Sequence, residues 1–196
     1  MIGPVLVLYY SRNGATKNMA NKIAQGIESQ GLNAMLRTVP EVSTGLQPDK
    51  ASVPETGDPY VSQQDLVDCS GLALGSPTRF GNMAAALKYF IDSTSSQWLS
   101  GALAGKPATV FTSTGSLHGG QESTLLTMML PLLHHGMLIS GLPYTIPQLH
   151  STQSGGSPYG ATHHAQGQHE TKLTEDERIL CLAQGQRLAL LAQKLG

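Results

Sequence analysis

The chain has 196 residues, 40% of them apolar, which is enough to bury the core of one domain. A formal net charge of −1 argues against nucleic-acid binding, and 22 glycines and 11 prolines are too few for a disordered low-complexity sequence. Charged residues make up only 13%, so neutral side chains must cover much of the surface, which favours self-association.

No segment of the sequence has the pattern of a targeting signal or a membrane span. The N-terminus MIGPVLVLYYSRNG lacks a positively charged stretch followed by a long apolar one, and no run of about 18 apolar residues occurs. Cys69 and Cys181 are the only cysteines, and their wide separation indicates neither a disulfide framework nor a thiolate zinc site. The sequence therefore predicts a cytoplasmic protein with no membrane insertion and no metal.

The predicted elements alternate between strands and helices. Residues 5–10 form a continuous apolar run, typical of a strand covered on both faces, and from Ala15 to Gly31 apolar residues recur at helical spacing. Further strands are predicted at 34–39, 72–74, 109–111 and 137–139, and further helices at 82–92, at 121–133 and after a capping box at Thr174. This alternation predicts an α/β fold with a five-stranded parallel sheet and helices on both faces.

Two long segments have neither helical nor strand periodicity. We treat them as insertions in a single domain over residues 1–196. Residues 40–64 and 140–172 are rich in Gly, Pro, Ser and His and exceed ordinary connections in length. Three interpretations of the second segment stay open: an arm facing another subunit, a cover over a site, or simple mobility. His163, His164 and His169 could bind a metal, but no carboxylate framework accompanies them, which favours a mobile polar loop.

Three polar loops follow predicted strands at the edge of the sheet where open α/β proteins bind ligands. The first, Ser11-Arg12-Asn13-Gly14-Ala15-Thr16, leads into a helix N-terminus, where free N–H groups favour an anion. It lacks the lysine of nucleotide hydrolases and the glycine pattern of dinucleotide folds, so it suits a phosphate monoester that is held rather than transferred. An ordinary capped turn is the alternative interpretation.

The second and third loops carry donors suited to a flat ring. In residues 75–82, Thr78, the cation Arg79 and the ring of Phe80 could line the edge of a heteroaromatic ligand. Residues 112–122 offer hydroxyls and bare amides that can approach the pyrimidine side of a flavin. For the second loop, the alternative is a solvated Arg79 with a buried Phe80. For the third loop, the alternative is a flexible connector. One phosphate cradle and two such loops, in a sheet of flavodoxin-like order 2-1-3-4-5, point to FMN.

A family resemblance strengthens this interpretation. Most of the chain is covered by the stretches VLVLYYSRNGATKNMA, GSPTRFGNMAAALKYFID, TVFTSTGSLHGGQESTL, LLHHGM and SPYGAT. Together they resemble the WrbA-type NAD(P)H:quinone oxidoreductases, which are flavodoxin-like FMN proteins. The resemblance implies an enzyme that transfers two electrons from NAD(P)H to a quinone, giving a hydroquinone by a ping-pong mechanism. It also implies a homotetramer.

The resemblance assigns site residues by position. The FMN phosphate would lie on Ser11, Arg12, Asn13, Gly14, Ala15 and Thr16, and the ring against Pro77, Thr78, Arg79, Phe80, Gly81, Ser113, Thr114, Gly115, Ser116 and Gly119. His134, from the HHG motif, would reach the flavin pocket of a neighbouring subunit, and Trp98 would lie near the substrate. Arg79 and His134 would support the flavin chemistry, with no catalytic side chain assigned.

Two positions depart from the family's pattern. Asn13 stands where an aromatic residue near the nicotinamide is common. Because of this position we assign Asn13 to substrate binding in addition to the FMN phosphate. Leu117-His118 lengthens a loop that is often almost wholly glycine.

Two other functions stay open at this point. One is a one-electron flavodoxin-type carrier, although such carriers are usually strongly acidic and enclose the ring between aromatic residues. The other is a non-catalytic, regulator-associated binding protein, in line with the family's historical repressor-binding name.

Overall fold

A computed structural model describes residues 2–42, 54, 56–166 and 170–196. Its strands are β1 (Val5–Tyr9), β2 (Ala34–Thr38), β3 (Gly71–Pro77), β4 (Pro107–Thr114), β5 (Leu138–Ile139) and β6 (Thr162–His164). Its helices are α1 (Ala15–Glu28), α2 (Gln63–Asp68), α3 (Ala85–Asp92), α4 (Ser95–Leu99), α5 (Gln121–His134), α6 (Gln148–Ser151) and α7 (Glu175–Leu195).

The sheet is parallel, and its order β2-β1-β3-β4-β5 confirms the predicted flavodoxin-like arrangement. Alternate side chains of β1 enter two different cores because the strand is covered on both faces. Leu6 and Leu8 pack on the side of α3 and α5, whereas Val5 and Val7 pack on the side of α1 and α7. Within the described residues no helix combines the length and the apolar character needed to cross a membrane.

A sixth strand adds to the five that were predicted. β5 pairs with the first two residues of β4, and β6 pairs in parallel with the last three, so both occupy the outer position beside β4. Residues 140–161 leave the sheet between these two pieces and carry α6. The Thr-His-His sequence of β6 lacks the apolar character of a strand, and only pairing with distant β4 defines it.

Three short helices were not predicted because four to six residues carry too little periodicity. In α2 the side chain of Ser62 accepts from the backbone N–H of Asp65 in a capping box, which begins the helix inside the predicted 40–64 insertion. Residues 43–53 and 55 of that insertion lie outside the described residues. α3 begins at Ala85 rather than 82, since Arg79 and Asn82 pair across a tight turn before the helix.

The prediction of a mobile polar loop is wrong for His163. Its side chain is 1% exposed and lies in β6 against Glu177 of α7. Burial of a histidine requires hydrogen-bond partners, which no nearby sequence pattern reveals. His169 lies outside the described residues, and no cluster able to hold a metal occurs among those that are described.

Candidate functional site

The loops that follow β1, β3 and β4 surround a cavity of about 670 Å³. This volume is typical of pockets that bind cofactors. The predicted residues that line it are Ser11, Arg12, Asn13, Ala15, Thr16, Pro77, Thr78, Arg79, Ser113, Thr114 and Gly115. The three loops therefore converge on one space, although they are far apart in the sequence.

One end of the cavity is the N-terminus of α1. Gly14 precedes the helix with a φ of 97°, a left-handed conformation that favours glycine, and its N–H donates to Ser11 Oγ at 3.1 Å. The first N–H groups of a helix have no acceptor within it, and the first turn of α1 contains no acidic side chain. With the hydroxyl of Thr16 and the cation Arg12 on the same wall, this end suits a phosphate.

Another wall comes from residues that no motif in the sequence singled out: Ala165, Glu170 and Thr171. A side chain on Gly14 would have its Cβ 3.8 Å from the methyl group of Thr171, so this wall lies directly against the phosphate loop. Asn18 Nδ2 of α1 donates to the carbonyl oxygen of Thr171 at 2.9 Å and holds the two walls together. The sequence pointed to this wall only through the unusual length of the 140–172 segment, for which a cover over a site was one of three interpretations.

Hydrogen bonds fix the second loop against β4 and α5. The N–H of Thr78 donates to the carbonyl of Ser113 at 2.9 Å, and its hydroxyl lies 2.7 Å from that of Thr124. Arg79 Nη1 donates to the carbonyl of Thr78 at 2.7 Å. The polar groups at this end are therefore held in place by the protein and are oriented before a ligand binds.

Phe80 and Gly81 do not line the cavity. Phe80 is fully exposed and has a φ of 52°, a left-handed conformation that is rare for a bulky residue. The alternative of a buried Phe80 is wrong as well. Ser116 and Gly119 also lie outside the lining, in an exposed turn where the N–H of Gly119 donates to the carbonyl of Ser116 at 3.2 Å.

Trp98 and His134 lie together but away from the cavity. Both line a separate groove of about 430 Å³ between α4 and the end of α5, with Thr94 and Pro131. Trp98 is half exposed. In a single chain, then, these two residues do not join the predicted cofactor site.

Comparison with known proteins gives the family. Residues 5–149 match the family described as NADPH-dependent FMN reductase, and this range contains all three loops. The chain belongs to the NADPH-dependent FMN reductase family. FMN is therefore the cofactor of this family member and NAD(P)H its co-substrate, as predicted.

Solved structures agree on the fold. The reductase is similar to a WrbA-like flavodoxin from Agrobacterium tumefaciens, with 22% identity, a TM-score of 0.72 and 99% of both chains covered. It is also similar to a flavodoxin from the domain Archaea, with 19% identity and a TM-score of 0.64 over 97% of this chain and 99% of the other. A flavodiiron protein from Giardia intestinalis matches at 16% identity with a TM-score of 0.63, covering 98% of this chain and 36% of the other.

The donors in the reductase cavity fit FMN. The helix N-terminus, Ser11 and Thr16 suit its phosphate, while Thr78 and the amides after β4 suit the polar edge of its ring. Gly115 has open space around it, so the backbone there is accessible to a ligand. A second cavity of about 730 Å³ adjoins the first and shares Arg12 and Arg79 with it.

A buried ion pair stands behind the wall formed by Glu170 and Thr171. Glu177 is fully buried, and its carboxylate accepts from His163 Nδ1 at 2.8 Å and from the N–H groups of Gly155, His164 and Thr174. Burial disfavours the charged carboxylate, but these hydrogen bonds outweigh it and lower the pKa of Glu177 to about 2.

Two tyrosines lie at the carboxyl end of β1: Tyr9 is its last residue, and Tyr10 follows it. Tyr9 Oη donates to Asp58 at 2.6 Å, and Tyr10 Oη donates to Glu41 at 3.2 Å. Burial, together with the adjacent carboxylate, raises the pKa of each phenol. Both therefore stay protonated at neutral pH and act as hydrogen-bond donors to these carboxylates.

Proposed function

We propose that this reductase is a WrbA-type NAD(P)H:quinone oxidoreductase that works by a ping-pong mechanism. The single observation that carries the proposal is the open cavity at the ends of β1, β3 and β4, whose lining suits a phosphate at one end and a flat ring at the other. When bound, FMN supplies the two-electron chemistry, accepting hydride from NAD(P)H and passing electrons to the quinone. We further propose a single cytoplasmic domain.

The first loop holds the phosphate in this proposal. Ser11, Thr16 and the N–H groups around Gly14 and Ala15 donate to it, with Arg12 as a nearby cation. Charge-assisted hydrogen bonds contribute roughly 1.5–3 kcal/mol each, so several of them retain a dianion without a lysine. Asn13 lies on the same wall and is positioned to contact the nicotinamide or the quinone.

The second and third loops orient the ring in this proposal. Pro77, Thr78 and Arg79 take one edge, and Ser113 to Gly115 take the pyrimidine side, where negative charge develops on reduction. Arg79 is the cation that stabilises this charge. Phe80, Gly81, Ser116 and Gly119 do not line the cavity, so the proposal gives them no contact with the ring within one chain.

The quinone site includes a neighbouring subunit of a homotetramer in this proposal. Leu126, Leu130 and Leu133 form an exposed apolar stripe along α5, at a spacing that puts them on one face. Such a stripe, with the exposed Phe80 and Trp98, supports an interface between copies. Association there would carry His134 and Trp98 of one subunit toward the cavity of another.

Steady-state kinetics test the quinone activity. Protein loaded with FMN is mixed with NADPH or NADH and with benzoquinone, and both NAD(P)H consumption and hydroquinone formation are followed. We expect one hydroquinone per NAD(P)H and parallel double-reciprocal plots. An FMN-loaded protein that oxidises NADPH without forming hydroquinone would contradict the proposal.

The one-electron carrier is the second candidate, because the fold is similar to that of proteins named flavodoxins. A carrier would pass electrons singly to a redox protein such as cytochrome c and would give no hydroquinone with NAD(P)H and benzoquinone. The net charge of −1 and the absence of a second aromatic residue beside Phe80 in the described loops argue against it. A purified protein that takes up no FMN would favour the binding-protein alternative.

A further inference from the structure

His163 has a hydrogen-bond acceptor at each ring nitrogen. Nδ1 lies 2.8 Å from a carboxylate oxygen of Glu177, and Nε2 lies 3.1 Å from the carbonyl oxygen of Glu170. Neither acceptor carries a proton to give, whereas a neutral imidazole has only one N–H. The geometry is therefore satisfied only by the imidazolium form, in which both nitrogens donate.

Glu177 fixes this imidazolium in place. Its carboxylate also accepts from the N–H of Thr174, the capping residue before α7, at 2.9 Å, and from that of Gly155 at 2.9 Å. The side chain of Glu177 is fully buried, so it cannot turn toward solvent. His163 is thereby tied to a carboxylate that other hydrogen bonds hold in place.

The other nitrogen of His163 holds the wall of the FMN cavity. Glu170 and Thr171 line the cavity, and Thr171 lies against Gly14 of the phosphate loop. Two side chains hold the backbone carbonyls of this pair: His163 contacts that of Glu170, and Asn18 donates to that of Thr171. Loss of the bond to His163 would free Glu170 from β6, and loss of the bond to Asn18 would free Thr171 from α1.

We propose that His163 is a positioning residue for FMN: its imidazolium, anchored on Glu177, holds the Glu170–Thr171 backbone against the phosphate loop and so retains the cofactor. The proposal rests on FMN binding in this cavity and does not depend on the quinone activity. It also gives cofactor affinity a dependence on pH, since an uncharged His163 cannot donate to both partners.

The charged groups that face the His163 ring are carboxylates. Glu177 comes from α7 and Glu170 from the cavity wall, while β4 places the neutral Ser113 beside His163 and α1 contributes the neutral Asn18 to the same wall. Burial alone would lower the pKa of His163, but the hydrogen bonds and charges of Glu177 and Glu170 outweigh burial and raise it. The raised pKa and the two acceptors both favour the imidazolium.

Two substitutions separate the two nitrogens. The amide nitrogen of His163→Asn can occupy the place of Nδ1 and donate to Glu177, but it cannot reach Glu170. That of His163→Gln can occupy the place of Nε2 and keep the bond to Glu170 without titrating. His164→Gln is the matched control. It removes the adjacent imidazole, and His164 contacts Glu177 through its backbone N–H, which the substitution keeps.

The experiment measures the FMN dissociation constant of each apoprotein by flavin fluorescence, from about pH 7 to about pH 9.5, where the charge of the phosphate is constant. For the wild type and His164→Gln we expect the dissociation constant to rise with pH. For His163→Asn we expect it to be about tenfold higher at neutral pH and nearly independent of pH. His163→Gln should bind more tightly than His163→Asn, also without the pH dependence.

Asn18→Ala should weaken FMN binding while keeping the pH dependence, because it removes the other bond to the wall. Equal affinity of His163→Asn and wild type, or the same pH dependence in both, would overturn the proposal. Circular dichroism checks folding, and if His163→Asn does not fold, the comparison of wild type with His163→Gln decides. Normal FMN binding without quinone turnover would contradict the proposed activity alone. Wild-type protein that binds no FMN would contradict both the activity and the role of His163.

Discussion

The indole Nε1 of Trp98 donates a hydrogen bond of 2.8 Å to the carbonyl oxygen of His134. This bond joins α4 to the last residue of α5 and fixes the two residues as one unit. Because the unit lies outside the FMN cavity of its own chain, substitutions in it should separate cofactor binding from substrate turnover.

Trp98→Phe tests this separation. The phenyl ring keeps the apolar surface but loses the N–H, so we expect the free energy of unfolding to fall by about 0.5–1.5 kcal/mol. The FMN dissociation constant should not change, whereas the KM for quinone should rise if a neighbouring subunit presents Trp98 to the cavity. Urea unfolding, fluorescence titration and kinetics measure the three quantities. Weakened FMN binding in this variant would speak against the separation.

Leu130→Glu should dissociate the proposed tetramer. It places a charge in the centre of the apolar stripe of α5, where burial against another subunit would be costly. Light scattering coupled to size exclusion measures the mass. Leu190→Glu is the control, since Leu190 is comparably exposed but lies on α7 across the sheet. An unchanged mass for Leu130→Glu would exclude the stripe as the interface.

Thr16→Val should weaken FMN binding by roughly tenfold, because the buried hydroxyl at the N-terminus of α1 is removed while its shape is kept. Thr16→Ser restores the hydroxyl and should recover most of the affinity. Fluorescence titration of the apoproteins gives the dissociation constants. If valine binds as well as serine, the phosphate does not use this hydroxyl.

Gly75→Ala should destabilise the sheet below the site. A Cβ there would lie 2.1 Å from Cζ of Phe111, a fully buried ring, so the ring or the strand must move. We expect a loss of about 1–3 kcal/mol in the free energy of unfolding. Phe111→Leu makes room, so the double variant should lose less than the sum of the single ones. Gly115→Ala, where a Cβ meets open space, should leave the stability unchanged.

The His163–Glu177 pair predicts how the stability of the apoprotein depends on pH. The pKa of His163 is raised on folding, so its contribution is complete below the ordinary pKa of histidine and is lost as the pH rises through the raised value. The pKa of Glu177 is lowered to about 2, so its contribution is present above the ordinary value and is lost as the pH falls toward 2. Urea unfolding at a series of pH values should show both declines, and His163→Asn should lose the alkaline one.

The sequence was informative where a pattern is local. The apolar run of β1 and the turn at Gly14 follow from neighbouring residues, and so does the convergence of the three loops once the sheet order is known. β6 could not be predicted in this way, because its polar residues are buried by contacts with β4 and Glu177 that are distant in sequence. The exposure of Phe80 was missed for a different reason. A large aromatic residue is ordinarily buried, and nothing in the local sequence marks this one as exposed.

The interrupted strand beside β4 has a consequence for how copies of this chain can meet. An uninterrupted sheet margin offers a row of free backbone donors and acceptors that can template fibril-like growth. Here that margin consists of pieces of two and three residues, separated by the excursion of residues 140–161. Edge-to-edge strand pairing between copies is thereby disfavoured on this side of the sheet. Association through side chains favours a complex of limited size.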